Sequence, residues 1–315
     1  MARYLVTGGA GFIGSNIVRE LVQRQEEVVV LDNFSTSKQE NLADVIQNIT
    51  LVEGDICDLS VLKKTSQNVD YILHQAALRS VGRSVDAPLE TNDVNITGTL
   101  NVLMAAREMN VKRVVLASSS SVYGDVHEDL NVETLPTVPL SPYALTKLAD
   151  EHYARLFTYL YGLETVALRY FNVFGPYQNP ESKYSAVIPI FMNTLIHKKP
   201  PTIDGDGNQS RDFTFVDNVV QANIKAATSL TAKSGEAYNI GNGKTTSINE
   251  LYAVLQELLG TNFPAHFGAP RSGDVRKTQA DISKAQRDLG YQPTVGFRDG
   301  LIKTLDWYQK KIHSK

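Results

Sequence analysis

The sequence predicts an α/β fold: a doubly wound parallel sheet carrying a smaller, mostly helical C-terminal substrate domain. Three observations predict it. Apolar strand-type runs alternate with helix-period segments through the first half of the 315-residue chain. A glycine-rich turn joins the first strand to the first helix, and helical patterning dominates the segments after Asn172. Such alternation builds a Rossmann-type parallel sheet, with ligands at the carboxyl ends of its strands.

The opening stretch is Tyr4-Leu5-Val6-Thr7-Gly8-Gly9-Ala10-Gly11-Phe12-Ile13-Gly14. Its strand ends at Val6, and Ile13, Ile17, Val18 and Leu21 follow at helical spacing. Strand, glycine turn and helix together bind the pyrophosphate of a dinucleotide. Gly8 permits the tight turn, Gly11 leaves the backbone bare to phosphate oxygens, and Gly14 lets the helix pack close to the strand. The free N–H groups of the first helical turn, beginning at Phe12, hold the anion with the positive end of the helix dipole. A second strand, Val28-Val29-Val30-Leu31, ends in Asp32, eighteen residues after Gly14. That spacing suits a carboxylate on the adenosine ribose hydroxyls. Its charge repels a 2′-phosphate, so NAD is favoured over NADP, a preference that Lys38 could soften.

The elements then follow in order. Asn33, Phe34, Ser35, Thr36 and Ser37 read as a loop, and the strand at 49–53 leads to Gly54-Asp55-Ile56, placed to flank an adenine. A helix at 59–66 precedes the strand 71–73 and the loop His74-Gln75-Ala76-Ala77, whose small residues suit close approach to a cofactor. Arg79, Ser80 and Arg83 fall in a loop facing the crevice, and a long helix is expected over 88–109 with Asn95 on one face. The strand 113–117 ends in Ser118-Ser119-Ser120-Ser121, and 125–139 reads as a surface excursion. Ser141-Pro142 starts a helix to Tyr161, with proline at the first helical position. A strand at 165–169 follows, then a helix at 187–197, and a helix at 215–229 with a strand at 237–240 that return to the sheet. The expected division is a cofactor domain of 1–175 with 215–243, and a substrate domain of 176–214 with 244–315.

Composition narrows the function. A net charge of -3 supplies no basic field for nucleic acid or an anionic membrane. The single cysteine, Cys57, leaves no internal disulfide and fits a reducing compartment. Met1 leads straight into the first strand, and no apolar run approaches the ~18–20 residues that span a bilayer. A soluble, cytoplasmic protein is expected. Residues 203–208 resemble a calcium loop, but counting from Asp204 the sixth position is Gln209 and the twelfth Phe215, so the turn glycine and bidentate glutamate are missing. The histidines lack metal-ligand spacing, and no metal site is expected.

The chemistry centres on Tyr143 and Lys147, four apart on one helix face. A free tyrosine titrates near pH 10, and an adjacent ammonium and a positive nicotinamide both favour its phenolate. Lowering that value by ~3 units takes roughly 4 kcal/mol of differential stabilisation. Such a tyrosine removes a hydroxyl proton while hydride leaves the same carbon, with a serine fixing the oxygen.

Thr7 to Gly14, Ser119, Tyr143-x-x-x-Lys147 and Arg169-Tyr170-Phe171-Asn172-Val173-Phe174-Gly175 together resemble the extended short-chain dehydrogenases that modify nucleotide sugars. The glycine spacing Gly-x-x-Gly-x-x-Gly belongs to the same group. The likeness covers essentially the whole chain and is greatest to the UDP-sugar 4-epimerases, especially those accepting UDP-N-acetylglucosamine. That resemblance implies tight NAD binding, oxidation at C4 to a 4-keto sugar, and return of the hydride to the opposite face. It implies NAD contacts from Gly8, Gly11, Phe12, Ile13, Gly14, Asp32, Asn33, Ser35, Thr36, Asp55, Ile56, Gln75, Ala76, Ala77, Asn95, Lys147 and Tyr170. Tyr143 becomes the acid/base and Ser119 the catalytic serine, with neighbouring Ser120 as the alternative. The UDP-sugar falls to Arg79, Ser80, Arg83, Asn172, Ala186, Val187, Arg211, Arg271 and Asp274, two of whose guanidinium forks suit a diphosphate.

Two details separate neighbouring activities. The related 4,6-dehydratases carry Asp-Glu after the catalytic residue, and the decarboxylases a glutamate; Ser120 and Ser121 stand there instead. Epimerisation needs no such second pair. The resemblance also places a gate at Thr278, where a tyrosine excludes N-acetyl sugars and a small residue admits them. UDP-N-acetylglucosamine is therefore expected ahead of UDP-glucose. A sugar-nucleotide dehydrogenase and a non-enzymatic NAD-sensing scaffold are the competing readings. Pairing of the helices at 88–109 and 142–161 across a dimer axis is a further expectation of the family.

Overall fold

The computed structural model describes residues 1–125, 128, 130–180, 186–270 and 275–313. The first half alternates as the sequence predicts: β1 (Arg3–Thr7), α1 (Phe12–Gln23), β2 (Glu27–Asp32), β3 (Thr50–Glu53), α2 (Leu59–Thr65), β4 (Tyr71–His74), α3 (Val81–Asp86), α4 (Pro88–Asn92), α5 (Gly98–Glu108), β5 (Arg113–Ser119), α6 (Pro142–Tyr161) and β6 (Glu164–Tyr170). The second half adds β7 (Val173–Phe174), α7 (Val187–Ile196), β8 (Thr202–Asp204), β9 (Ser210–Arg211), β10 (Thr214–Phe215), α8 (Val216–Thr228) and β11 (Glu236–Ile240). The chain closes with β12 (Thr246–Ser247), α9 (Ile248–Leu259), β13 (His266–Gly268), β14 (Lys277–Thr278), α10 (Ser283–Leu289) and α11 (Phe297–His313).

Seven parallel strands form the main sheet in the order β11-β6-β5-β4-β1-β2-β3. The order reverses at β1, between β2 and β4, which is where an open parallel sheet leaves a ligand crevice. Side-chain alternation splits the strands between two cores. Tyr4, Val6, Val28, Val30 and Leu73 face the layer containing α1 and α8. Leu5, Val29, Leu31, Ile72 and Val114 face α2, α5 and α6. Burial on both faces explains why these strands read as continuous apolar runs.

Local chemistry sets the catalytic helix. Ser141 accepts a 3.1 Å hydrogen bond from Ala144 N, Pro142 follows at the first helical position, and Gly162 ends the helix in the left-handed region.

Two expectations are corrected. The helix expected over 88–109 is interrupted by a π-helical turn, Asp93–Thr97, between α4 and α5. The wider turn draws Asn95 into the core, where its amide bonds the backbone of Leu78. Arg79, Ser80 and Arg83 do not share a loop: Ser80 caps α3, and Arg83 lies within it. The C-terminal part is mostly helical, with short pairings the sequence does not announce: β9 with β12 and β14, and β8 with β13. Strands of two or three residues carry too little alternation to read.

Arg113 locks the sheet to α8 from the end away from the crevice. Its Nη1 donates to the carbonyls of Ala226 (2.8 Å), Ala227 (3.2 Å) and Ser229 (2.8 Å), and its Nε to Glu164 (2.8 Å). A cation on terminal carbonyls both satisfies them and complements the helix dipole. Arg113→Met leaves those buried acceptors without a donor, so urea unfolding should show a loss of ~2–3 kcal/mol; an unchanged midpoint would contradict this role.

Candidate active site

The crevice at the switch point has a volume of ≈190 Å³. Gly8, Gly11, Phe12, Ile13, Gly14, Asp32, Asn33, Ser35 and Thr36 form one wall; Gln75, Ala76, Ala77, Arg79, Tyr143, Lys147 and Tyr170 form the other, with Ile56 along the edge. Gly8 sits at φ 67°, and a Cβ there would lie 2.7 Å from Ala76 Cα. A Cβ on Gly14 would lie 2.1 Å from Gly8 O, so this glycine lets the helix close onto the turn itself, rather than onto the strand as expected. No side chain caps α1, whose N-cap is Gly11. Its first-turn N–H groups are left for a ligand, which is what a pyrophosphate requires.

Asp32 is fixed before any ligand arrives. One carboxylate oxygen accepts from Ala10 N (2.9 Å), the other from Phe34 N (2.9 Å) and Ser37 Oγ (2.7 Å). Asp55 turns to Asn33 Nδ2 (2.7 Å) and Cys57 N (2.7 Å). Partial burial pushes its carboxyl up, but the hydrogen bonds from Cys57 and Asn33 prevail and hold it below the usual range. Its neighbours Gly54 and Ile56, rather than Asp55 itself, line the wall.

Asn95 stands behind the wall. It accepts from Leu78 N (2.8 Å) and donates to Leu78 O (3.2 Å) and Thr146 Oγ1 (3.0 Å). It therefore shapes the 75–79 segment instead of reaching the crevice. Tyr170, Gln75 and Asn223 form a closed polar cluster: Tyr170 OH donates to Gln75 Oε1 (3.1 Å), and Asn223 Nδ2 donates to Tyr170 OH (2.8 Å). Burial pushes the Tyr170 phenol well up, so it stays protonated.

From the end of β5, Ala117 and Ser118 reach the wall, while Ser119 and Ser120 are not among its lining residues. Ser118 Oγ donates to Glu151 (2.5 Å), which also holds Arg169 through two bonds of 2.9 and 2.8 Å. Ser119 Oγ accepts from Ser121 N (3.2 Å) and Ser121 Oγ (2.9 Å). With its oxygen occupied as an acceptor, the Ser119 O–H is polarised toward donation.

Lys147 and Asp150 form a buried ion pair, Nζ to Oδ2 3.2 Å, each side chain 3% exposed. Beside them His74 is clamped between Thr7 Oγ1 (2.6 Å) and Thr99 Oγ1 (3.0 Å). Burial, helped by the Lys147 charge, pushes His74 down to about 3, so it is neutral. Held between two hydroxyls, it ties β1 to α5.

A second cavity of ≈600 Å³ is lined by Asn172, Ala186, Val187, Asp204, Arg211 and Phe213 among others. Thr278 lies one strand from it, in register with Arg211. Its hydroxyl is buried without a partner. Ser80 sits at φ 134°, a conformation costing a non-glycine residue ~1–3 kcal/mol, directly after crevice-lining Arg79. Arg271 and Asp274 lie outside the described residues. Among the described residues no His/Cys/Asp/Glu group could hold a metal ion, and no helix is long and apolar enough to cross a membrane.

Sequence reasoning missed Ser118, Asn223, Asp150 and the Thr7–His74–Thr99 line. Asn223 was detectable as a polar residue in an apolar helical stripe, and Asp150 by its three-residue spacing from Lys147. Nothing local marks Thr99.

A parallel sheet with a glycine turn at its switch point and a Tyr-x-x-x-Lys helix over the crevice defines a dinucleotide-dependent enzyme of the extended short-chain dehydrogenase type. The chain belongs to the NAD dependent epimerase/dehydratase family, whose model matches residues 4–241. NAD is its cofactor, and the free helix terminus and the carboxylate of Asp32 fit it. It is 39% identical to a putative UDP-glucose 4-epimerase of Methanocaldococcus jannaschii over 96% of this chain and 97% of that one. It is 36% identical to the UDP-glucuronate 4-epimerase of Thermodesulfobacterium geofontis, over 99% and 98%. Among solved structures, it superposes with a TM-score of 0.94 on the UDP-N-acetylglucosamine 4-epimerase of Methanobrevibacter ruminantium in complex with UDP-N-acetylmuramic acid (38% identical, covering 98% of this chain and 99% of that one).

Asn95→Ala removes the partner of both backbone groups of Leu78. The variant should lose ~2–3 kcal/mol of stability and retain less NAD through gel filtration; full retention would show that this clamp does not shape the crevice.

Proposed function

We propose that the protein interconverts UDP-N-acetylglucosamine and UDP-N-acetylgalactosamine by NAD-dependent epimerisation at C4, and turns over UDP-glucose and UDP-galactose as well. The observation that carries this reading is Tyr143 and Lys147 on the wall of a dinucleotide crevice, with no carboxylate at the two positions after Ser119. Bound in the crevice, NAD supplies the hydride acceptor and donor. Tyr143 takes the proton of the C4 hydroxyl, and Ser119 donates a hydrogen bond to the same oxygen. Lys147 supplies positive charge that favours the phenolate and holds the ribose hydroxyls. The 4-keto sugar then turns over within the site, and Tyr143 returns the proton on the other face. Asn172, Val187 and Arg211 hold the uridine diphosphate in the larger cavity. A small Thr278 beside Arg211 supports admission of the N-acetyl group.

A second reading concerns the sugar. Among the described residues no carboxylate pairs with the crevice-lining Arg79. If C4 lies against Tyr143, the nearest substituents are those on C3 and C5, while the diphosphate leaves from C1. That favours an acidic group beside C4, as in a UDP-uronate.

Self-association as a homodimer is also proposed, because Leu89 on α4 and Leu145, Leu156, Tyr159 and Leu160 on α6 are exposed apolar residues.

Incubation with UDP-N-acetylglucosamine without added NAD should yield the galacto epimer. Net NADH would identify a dehydrogenase instead, and silence on every UDP-sugar would leave the scaffold. Tyr143→Phe should lower turnover by ~10³-fold. Thr278→Tyr should suppress turnover of the acetylated sugar while sparing UDP-glucose; equal loss on both defeats the gate. Arg79→Met should reduce kcat/KM on UDP-glucuronate by ~30-fold, leaving neutral sugars nearly unchanged. Equal effects on both would remove the acidic-sugar reading.

A further inference from the structure

Lys147 has two sides. One borders the crevice, where its ammonium serves the reaction proposed above. The other meets Asp150, a residue absent from the crevice wall and one helical turn further along α6. The pair is sealed from solvent, and the second carboxylate oxygen, Oδ1, is buried without a hydrogen-bond partner. An anion placed this way is not needed to hold α6 together, since the helix is capped at Ser141 and packed on α4 and α5. Its one strong contact is the ammonium.

From this geometry we infer that Asp150 is a positioning residue for the reaction: it holds the Lys147 ammonium from behind and limits how much of its positive field reaches Tyr143.

The groups around Asp150 leave that role to it. On its own helix, Lys147 is its partner, and the adjacent Glu151 turns to Ser118 and Arg169. From α5, the Thr99 hydroxyl meets His74 and also favours the charged form of Asp150, and from β4 His74 is neutral. Among the described residues no other cation meets Asp150. Burial pushes the Asp150 carboxyl up to about 6 even beside Lys147, so it is ionised at neutral pH and takes up a proton on acidification. The sign follows. Above that value a carboxylate offsets the ammonium; below it the offset is lost, and Tyr143 feels the full charge. A carboxylate that moderates its lysine keeps the phenolate basic enough to take the C4 proton, at the expense of a higher working pH.

The inference rests on the epimerase reading, and the test separates the two. In Asp150→Asn holoenzyme the amide keeps the shape and removes the charge. The acidic limb of its kcat–pH profile should move to lower pH by ~0.5–1 pH unit, with KM for the UDP-sugar unchanged. The tyrosinate absorbance that is lost in Tyr143→Phe should titrate lower by the same amount, whether or not the protein turns over. If Asp150→Asn does not fold, Asp150→Ser removes the same charge and is read in the same way. A uniform loss of kcat with an unmoved limb and unmoved absorbance marks a merely structural residue and overturns the proposal. Movement of the limb to higher pH overturns it too, since Asp150 would then be sustaining the ammonium's effect. A wild-type protein silent on all UDP-sugars removes the epimerase reading itself, while the absorbance titration still decides whether Asp150 governs the field at Tyr143.

Discussion

The Lys147 ammonium is 3% exposed and stands between a cofactor crevice and a buried carboxylate. A charge so placed is costly unless it is held, and the surrounding architecture holds it. Asp150 meets it from behind. His74 is kept neutral nearby, so that no second cation competes for the space. A polar line from Thr7 through His74 to Thr99 crosses from β1 through β4 to α5, coupling the strand that starts the glycine turn to the helix layer containing α6. Thr146, next to Lys147, is tied to Asn95 and to the Tyr143 carbonyl. Tyr143 and Lys147 are thus set by the π-helical turn packed beside them as well as by their own helix.

The cofactor wall relies on a different device, the absence of side chains. Gly8 and Gly14 approach so closely that a Cβ at the latter would overlap a carbonyl oxygen at 2.1 Å. The first N–H groups of α1, like those of any helix start, lack internal acceptors, and with no capping side chain they border the crevice. Asp32 completes the wall by joining Ala10 to the loop at Phe34 and Ser37. An anion and a pair of ribose hydroxyls are the ligands such a wall satisfies.

Much of this was legible in the sequence. The buried strands, the glycine turn and the Ser141-Pro142 helix start each follow from local chemistry that leaves a pattern. The same holds for Asp32, Tyr143 and Lys147, which occupy fixed places relative to those patterns. What escaped depends on contacts between distant segments. The π-helical turn at Asp93–Thr97 exists because Asn95 answers the backbone of Leu78, and no periodicity announces such a partner. Ser80 opens a helix, where its neighbours Arg79 and Arg83 read as loop. The short strands around Arg211 and Thr278 are pairings of two residues, below the length at which alternation can be read. Ser118 and Ser119 show the finest limit. Adjacent residues of a strand face opposite ways, and Ser118 is taken up by Glu151, 33 residues further along the chain.

The central claim is that hydrogen leaves and re-enters one sugar carbon inside a closed site, under control of a tyrosine in the field of Lys147. Substrate carrying deuterium at C4 tests it most directly. The account predicts that the epimer forms with the deuterium still at C4, none of it passing to water or to NAD added in solution. Loss of the label to either would contradict it.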